Sequence, residues 1–329
     1  MTAPIRPSSP PRWRPFVVPI VVLGLLVIAA LAAVLTSGGG DDTTEATVTP
    51  SATATTRFPV GDKPDGVALG AGAVWVALSG EGKLASVEQS TGKTVKVDVG
   101  KGTDSVSFDG DSVWVSVTDA DQVVEVSAGA RPTVIRRIDV GLRPEGLDVS
   151  SRAVWVANSG DGSVSQIVKT TGAVSTVRDV AAQPVDVAIG AGAVWVAGAG
   201  DGRVVRIDGG KRTFDGAVQV GPNPRALAIV GRDVWAISAG DGHARSIDSD
   251  TNTIDANVDV GGRPADIATD GRHLWVSDSR RDRVVELDPV ARKVVGRDTV
   301  RGRPLGVAVD DRAVWAAAFE AGAVARLPR

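Results

Sequence analysis

Seven tryptophans recur along the chain at almost constant spacing. Successive members are 39, 41, 40, 40, 40 and 40 residues apart, and each lies in a short apolar frame such as AVWVA at residues 153–157. They are Trp75, Trp114, Trp155, Trp195, Trp235, Trp275 and Trp315. A period near forty residues with several short strands per unit is typical of a propeller blade. The spacing therefore predicts an all-β fold, a seven-bladed β-propeller, over residues 56–329.

One unit shows how forty residues divide into strands. Strands are predicted at residues 146–149, 153–157, 163–168 and 173–180, with the sequence SGDG at 159–162 as a turn. Glycine and aspartate tolerate the backbone conformations that tight turns require. Four antiparallel strands leave no residues for a helix, so each unit is predicted to be one blade. Because the tryptophan has the same place in every unit, we expect it to pack between blades rather than to bind a ligand.

The two ends of the repeat region complement each other. The seventh unit has a third strand at residues 323–327 and no sequence left for a fourth. The segment 56–60 (TRFPV) has the pattern of the fourth strands in the other units. We therefore predict that this N-terminal strand completes the last blade, which closes the ring by hydrogen bonds and protects the sheet edges.

An uncharged apolar run precedes the repeats. Residues 16–35 contain no charged side chain, and twenty residues of helix extend about 30 Å, enough to cross the hydrocarbon core. Three arginines precede the run and two aspartates follow it, a bias that keeps the N-terminal side in the cytoplasm. We expect residues 1–15 to be a cytoplasmic tail, 16–35 a single transmembrane helix and 36–55 a flexible linker. A cleaved signal peptide is the alternative, and it too places the propeller outside the cell membrane.

Composition excludes several chemistries. The chain has no cysteine, so disulfides, zinc-thiolate sites and thiol nucleophiles are excluded. His243 and His273 are the two histidines, too few for a multi-histidine metal centre. The net charge is −3 and the repeat region has no basic run, so we expect no nucleic-acid partner.

The repeat resembles a known family. Its consensus, VG-x-x-P-x-G-V-A-V, then VWVA, then G-x-V-x-x-I-D and TG-x-V, is similar to YVTN-type and virginiamycin B lyase-like β-propeller repeats, and the similarity covers residues 56–329. The resemblance implies a seven-bladed propeller. For a lyase it also implies histidines after the loop proline. None of the residues at that place is histidine: they are Asp65, Asp104, Glu145, Val185, Arg225, Ala265 and Leu305.

The position after the loop proline begins the innermost strand of each blade and is therefore expected to surround the mouth of the central channel. Asp65, Asp104 and Glu145 lie side by side in the first three units, and Arg225 lies across the ring. Asp186 and Asp266 occupy the next position in units four and six. The residues before the proline are expected to form an outer basic rim of Lys63, Arg143, Arg263 and Arg303.

Two hypotheses for the mouth follow. In the first, the acidic cluster binds a cation or a cationic group, and Arg225 orients an anionic end of the ligand. In the second, the carboxylates are solvated or paired with the basic rim. The predicted ligand-binding residues are Asp65, Asp104, Glu145, Asp186, Arg225 and Asp266.

Two functional classes remain open. The first is a binding or scaffolding module without a cofactor, which presents a rigid disc to an extracellular protein, a cell-wall component or a small ligand. The second is a metal-dependent lyase or lactonase with its site at the channel mouth, where a divalent metal would be held by Asp65, Asp104 and Glu145. The sequence contains no nucleophile elbow, HExxH or phosphate loop, so no catalytic residue is assigned.

Overall fold

The structure, a computed structural model, describes residues 55–329. These residues form seven antiparallel sheets of four strands each. We number the blades 1 to 7 in chain order and count the strands of a blade from the central channel outward. The seven-bladed propeller predicted from the tryptophan period is confirmed.

The strands have the following bounds. Blade 1 contains β2 (Pro64–Gly70), β3 (Ala73–Leu78), β4 (Lys83–Glu88) and β5 (Thr94–Asp98). Blade 2 contains β6 (Thr103–Phe108), β7 (Ser112–Val117), β8 (Gln122–Ser127) and β9 (Val134–Asp139). Blade 3 contains β10 (Pro144–Val149), β11 (Ala153–Asn158), β12 (Ser163–Val168) and β13 (Val174–Val177). Blade 4 contains β14 (Pro184–Gly190), β15 (Ala193–Gly198), β16 (Arg203–Asp208) and β17 (Thr213–Gln219).

The remaining blades follow the same plan. Blade 5 contains β18 (Pro224–Val230), β19 (Asp233–Ser238), β20 (His243–Asp248) and β21 (Thr253–Asp259). Blade 6 contains β22 (Pro264–Thr269), β23 (Leu274–Asp278), β24 (Arg283–Asp288) and β25 (Lys293–Thr299). Blade 7 contains β26 (Pro304–Val309), β27 (Ala313–Ala318), β28 (Ala323–Pro328) and, as its outermost strand, β1 (Thr56–Pro59). Two short 3-10 helices lie at Thr118–Ala120 and Phe319–Ala321.

The ring closes as predicted. Strand β1 pairs antiparallel with β28, with Phe58 opposite Val324. The carbonyl of Gly322 also accepts the backbone N–H groups of Val60 at 2.9 Å and Gly61 at 3.1 Å. The first and last segments of the propeller therefore hold each other by ordinary sheet hydrogen bonds, and the outer edge of β28 is covered.

The tryptophans pack between blades, as expected. Each of the seven indoles is almost fully buried, with at most 4% of its surface exposed. Trp75 of blade 1 lies in one apolar cluster with Val113 and Val115 of blade 2, and Trp315 of blade 7 lies in one with Val74 of blade 1. Burying an indole of about 200 Å² contributes about 5 kcal/mol. The closing interface is thus packed like the others.

No helix within residues 55–329 is long and apolar enough to span a membrane. The predicted tail and transmembrane helix, and the predicted linker up to residue 54, lie outside the described residues. They stay predictions.

Candidate ligand site at the channel mouth

The innermost strands of neighbouring blades contact each other around the central channel. At one end they enclose a cavity of about 360 Å³. We call this end the mouth; the loops between blades and the turns between second and third strands surround it. The lining includes all six residues predicted from the sequence: Asp65, Asp104, Glu145, Asp186, Arg225 and Asp266.

A bulge at the start of each innermost strand aims these side chains. In blade 3 the ladder pairs Pro144 with Asn158 and next pairs Leu147 with Val156, so Glu145 lies outside the regular register. Blades 1 and 2 have the same irregularity at Asp65 and Asp104. An extra residue in one strand re-aims its side chain. The bulge is thus the local reason that the residue after the proline reaches the cavity.

Charge is sorted around the cavity. The acids at the second position of the innermost strands, Asp65, Asp104 and Glu145, come from blades 1, 2 and 3. The arginines in the lining come from blades 5, 6 and 7: Arg225, Arg263 and Arg303. Apart from Asp186 of blade 4 and Asp266 of blade 6, whose carboxylates accept backbone N–H groups, the mouth has an acidic side and a basic side. This arrangement matches a ligand that carries opposite charges at its two ends.

The three acids on blades 1 to 3 have no protein partner. Among residues 55–329, no donor hydrogen-bonds the side chain of Asp65, Asp104 or Glu145, and no cation lies within 4.0 Å of their oxygens. The second sequence-based hypothesis included ion pairs between these carboxylates and the basic rim. No such ion pair is present among the described residues. The carboxylates keep their acceptor capacity for another molecule.

Burial and mutual repulsion perturb this group. Desolvation, together with the neighbouring carboxyls of Asp65 and Glu145, raises the pKa of Asp104 to about 8. Desolvation also raises the pKa of Asp65 to about 6, while the guanidinium of Arg225 opposes the rise. Near neutral pH the acidic side therefore holds a proton that a bound cation would displace.

Asp186 and Asp266, unlike the three acids described above, accept hydrogen bonds from the backbone. The Oδ2 atom of Asp186 accepts the backbone N–H of Leu227 at 2.8 Å, and that of Asp266 accepts the N–H of Val307 at 2.8 Å. Each bond joins the innermost strand of one blade to that of the next. Burial raises the pKa of Asp266 to about 6 and raises that of Asp186 as well. These two carboxylates line the cavity, but they also connect blades.

Blades 1, 3 and 7 have glycine at the same ring position. A Cβ on Gly66 would lie 2.3 Å from the carbonyl oxygen of Asp104, and one on Gly306 would lie 2.3 Å from that of Asp65. Glycine thus permits a close approach of neighbouring strands beside the free acids.

Some lining residues were not predicted as site residues. Arg263 and Arg303, assigned to the outer rim, line the cavity, whereas Lys63 and Arg143 do not. Phe319, in the turn after the second strand of blade 7, also lines it, and the Arg303 guanidinium lies 5.0 Å from its ring centroid. The sequence signal was a large aromatic residue where other units have serine, threonine or alanine.

The histidines lie away from the mouth cavity. His273 Nδ1 is 2.9 Å from Glu286 Oε1, and His243 Nδ1 is 3.0 Å from the carbonyl oxygen of Asp241. Neither lines the cavity. Within the described part of the chain, no three acidic or histidine side chains converge closely enough to hold a metal ion. A metal at Asp65, Asp104 and Glu145 stays a prediction.

No protein-family model and no curated protein matches the chain. Solved structures do. A streptogramin B lyase superposes with a TM-score of 0.72 at 14% identity, over 83% of this chain and 96% of that chain. A catalytically inactive histidine-to-alanine variant of virginiamycin B lyase from Staphylococcus aureus, with quinupristin, gives 0.74 at 14% identity, over 84% and 99%.

A third similar structure is the hydrazine synthase of Kuenenia stuttgartiensis, with a TM-score of 0.73 at 17% identity over 85% of this chain and 99% of that chain. At such identities the likeness concerns the fold. The virginiamycin B lyase-like seven-bladed propeller that the repeats predict is thereby confirmed. Function is not carried over by fold alone.

Proposed function

We propose that the chain is a membrane-anchored binding module outside the cytoplasm. Its channel mouth binds a small ligand that carries a cationic group at one end and an anionic group at the other. The observation that carries the proposal is the sorted charge of the cavity, with partner-free acids on blades 1 to 3 and arginines on blades 5 to 7. The apolar run at residues 16–35 and its flanking charges support the anchor.

The energetics of the acidic side favour a cationic partner. Partly buried carboxylates without hydrogen bonds destabilise the folded protein, since burial disfavours their charged form. A ligand ammonium group beside one or two of the carboxylates of Asp65, Asp104 and Glu145 supplies N–H donors and weakens the repulsion within the group. Ligand binding therefore offsets the destabilisation that these carboxylates cause.

The basic side selects the other end of the ligand. A guanidinium presents a planar pair of N–H donors that matches a carboxylate or phosphate. Arg225 has no carboxylate partner within ion-pair distance among residues 55–329, and its side chain is exposed at the mouth. A volume of about 360 Å³ lies at the lower end of small-molecule sites. The ligand is therefore of about dipeptide size.

A matched set of dipeptides tests this proposal. Calorimetric titration of the full-length protein uses glycylglycine, its N-acetyl form and its C-terminal amide. We expect the free dipeptide to bind, the acetylated form to lose binding because it lacks the ammonium, and the amide to bind more weakly. The triple variant D65N/D104N/E145Q should not bind, although it folds. Equal binding of the acetylated form, or undiminished binding by the triple variant, would contradict the proposal.

The alternative is a metal-dependent lyase or lactonase at the same mouth, and the same three partner-free carboxylates are the observation in its favour. A calcium titration followed by melting temperature separates the two. Strong stabilisation by calcium that disappears in the triple variant, together with no dipeptide binding, would favour the metal site.

A further inference from the structure

A second cavity lies on the face opposite the mouth. It has a volume of about 430 Å³ and extends across the end of blade 1, between blades 7 and 2. Gly72, Gln89, Gly129 and Arg312 line it, and all four lie in turns that join first to second or third to fourth strands. We call it the blade 1 groove. It shares no lining residue with the mouth cavity.

Three cations line the groove: Lys93, Arg312 and Arg326. None has a carboxylate within 4.0 Å in the described part of the chain, whereas Lys211, Arg232 and Arg292 on the same face are each paired with an aspartate. The Arg326 guanidinium lies over the Trp315 ring, 5.8 Å from its centroid. Its charge is thus held in the groove wall without being neutralised.

The acids of the groove are already occupied. Asp310 Oδ1 accepts the backbone N–H groups of Arg312 at 2.8 Å and Ala313 at 2.9 Å, and Asp310 Oδ2 accepts Gln89 Nε2 at 3.3 Å. Glu88 Oε2 accepts the Thr91 hydroxyl at 2.6 Å. The acceptor atoms of these two acids are therefore occupied, and the lining carries three cations against two carboxylates.

The indole of Trp315 gives a second, independent observation. The N–H of Trp75 donates to the carbonyl of Gly70 at 3.1 Å, and Trp195 makes the same bond to Gly190 at 3.2 Å. In blade 7 the equivalent carbonyl, that of Asp310, accepts Arg329 Nη1 at 2.8 Å instead.

The buried N–H of Trp315 has no acceptor among residues 55–329. Trp235 also lacks one, so the missing bond alone carries no inference. Only Trp315 combines it with a place in the wall of a cavity lined by unpaired cations. A buried donor without an acceptor is costly, so the Trp315 indole in this wall is a sensitive reporter of charge placed in the groove.

We propose that the blade 1 groove binds a small organic anion, a carboxylate or a phosphate ester. The anionic group lies among Lys93, Arg312 and Arg326, and the guanidinium of Arg326 separates it from the Trp315 ring. This site is independent of the mouth: its ligand carries one negative group, whereas the ligand proposed for the mouth carries both signs.

The test uses the full-length protein and two probes, succinate and inorganic phosphate, in chloride-free buffer. Binding is followed by calorimetry and by the indole N–H signals in NMR, with the Trp315 signal assigned from the W315F variant. We expect a downfield shift of the Trp315 signal and none of the Trp235 signal. The double variant K93Q/R312Q should weaken binding by about tenfold or more, because it removes two of the three cations.

A matched control removes the same charge from the same face. Arg152 and Arg272 are exposed in turns of blades 3 and 6 and do not line the groove. R152Q/R272Q should bind both probes like the unmodified protein. Binding of one probe only would identify the anionic group that the groove prefers. No Trp315 shift with either probe, or equal weakening in the two double variants, would overturn the proposal.

Discussion

Two sets of carboxylates line the same channel mouth, and they differ in what they contact. Asp186 and Asp266 accept backbone N–H groups of the next blade at 2.8 Å. Asp65, Asp104 and Glu145 line the same cavity and accept nothing from residues 55–329. The first set connects blades, whereas the second makes no protein contact that would offset its burial. Residues that occupy similar positions in the repeat therefore have different roles. Asp186 and Asp266 connect blades, whereas Asp65, Asp104 and Glu145 are available to a ligand.

Removing a connecting carboxylate should have the largest effect. D266A leaves the N–H of Val307 without its acceptor in the blade interface, which costs about 1–3 kcal/mol of unfolding free energy. Denaturant unfolding measures the loss. D266N keeps one acceptor oxygen for the two backbone N–H groups, of Ile267 and Val307, that Asp266 accepts, and should lose less than D266A. If D266A and D104A change stability alike, the two sets do not differ as described.

Removing a carboxyl that has no partner should raise the free energy of unfolding, which is the opposite of the effect expected for D266A. The folded-state pKa of Asp104 is about 8, above its ordinary 3.8. Its contribution to stability is therefore present below pH 3.8 and is lost as pH rises toward 8. D104N avoids that loss and should be more stable than the unmodified protein by about 1–2 kcal/mol at pH 8.

Below about pH 4 the two proteins should unfold alike, because Asp104 is then protonated in both states. Melting temperatures across this range give the difference curve. A D104N variant that is less stable at pH 8 would mean that Asp104 has a partner in solution.

The affinity for the dipeptide should be highest at an intermediate pH. Asp65 and Asp104 must lose their shared proton to accept an ammonium group, so glycylglycine binding strengthens by about tenfold between pH 5 and 7. It weakens again above about pH 8, where an α-amino group loses its proton. Calorimetry at several pH values measures both limbs. A pH-independent affinity would show that the free carboxyls take no part.

The smallest effect is expected for Arg225. The side chain is exposed and unpaired, so R225Q should change the unfolding free energy by no more than about 0.5 kcal/mol. The Arg225 guanidinium lowers the pKa of Asp65, so the variant should raise that pKa. Glycylglycine should bind more weakly, whereas its C-terminal amide should be little affected. Equal losses for both ligands would contradict an orienting role.

Much of this could be predicted from the sequence because repeats constrain each other. Seven tryptophan frames fix the blade count, and the first residue of each innermost strand, proline in every blade but the second, places Asp65, Asp104 and Glu145 at one end of the channel. The strand bounds were predicted less accurately than the blade count. The first strand of blade 3 begins at Pro144, two residues before its predicted start, because the sequence pattern does not reveal the bulge.

The division between connecting and free acids could not be predicted. It depends on whether the backbone N–H of a residue 41 positions away lies within hydrogen-bond distance of Asp186 or Asp266. Arg263 and Arg303 line the cavity, whereas Lys63 and Arg143 do not. This difference depends on loop geometry, which the repeat pattern does not specify. Periodicity identifies equivalent positions, but it does not report which of them find partners in space.

The most direct test of the account is a carboxyl titration of the ligand-free protein by ¹³C NMR. The account predicts one mouth carboxyl that titrates near pH 8, as expected for Asp104, and this signal is absent from D104N and moves to lower pH in D65N. An Asp104 carboxyl that titrates below about pH 5, as an ordinary or ion-paired aspartate does, would contradict the claim that the acids on blades 1 to 3 lack protein partners.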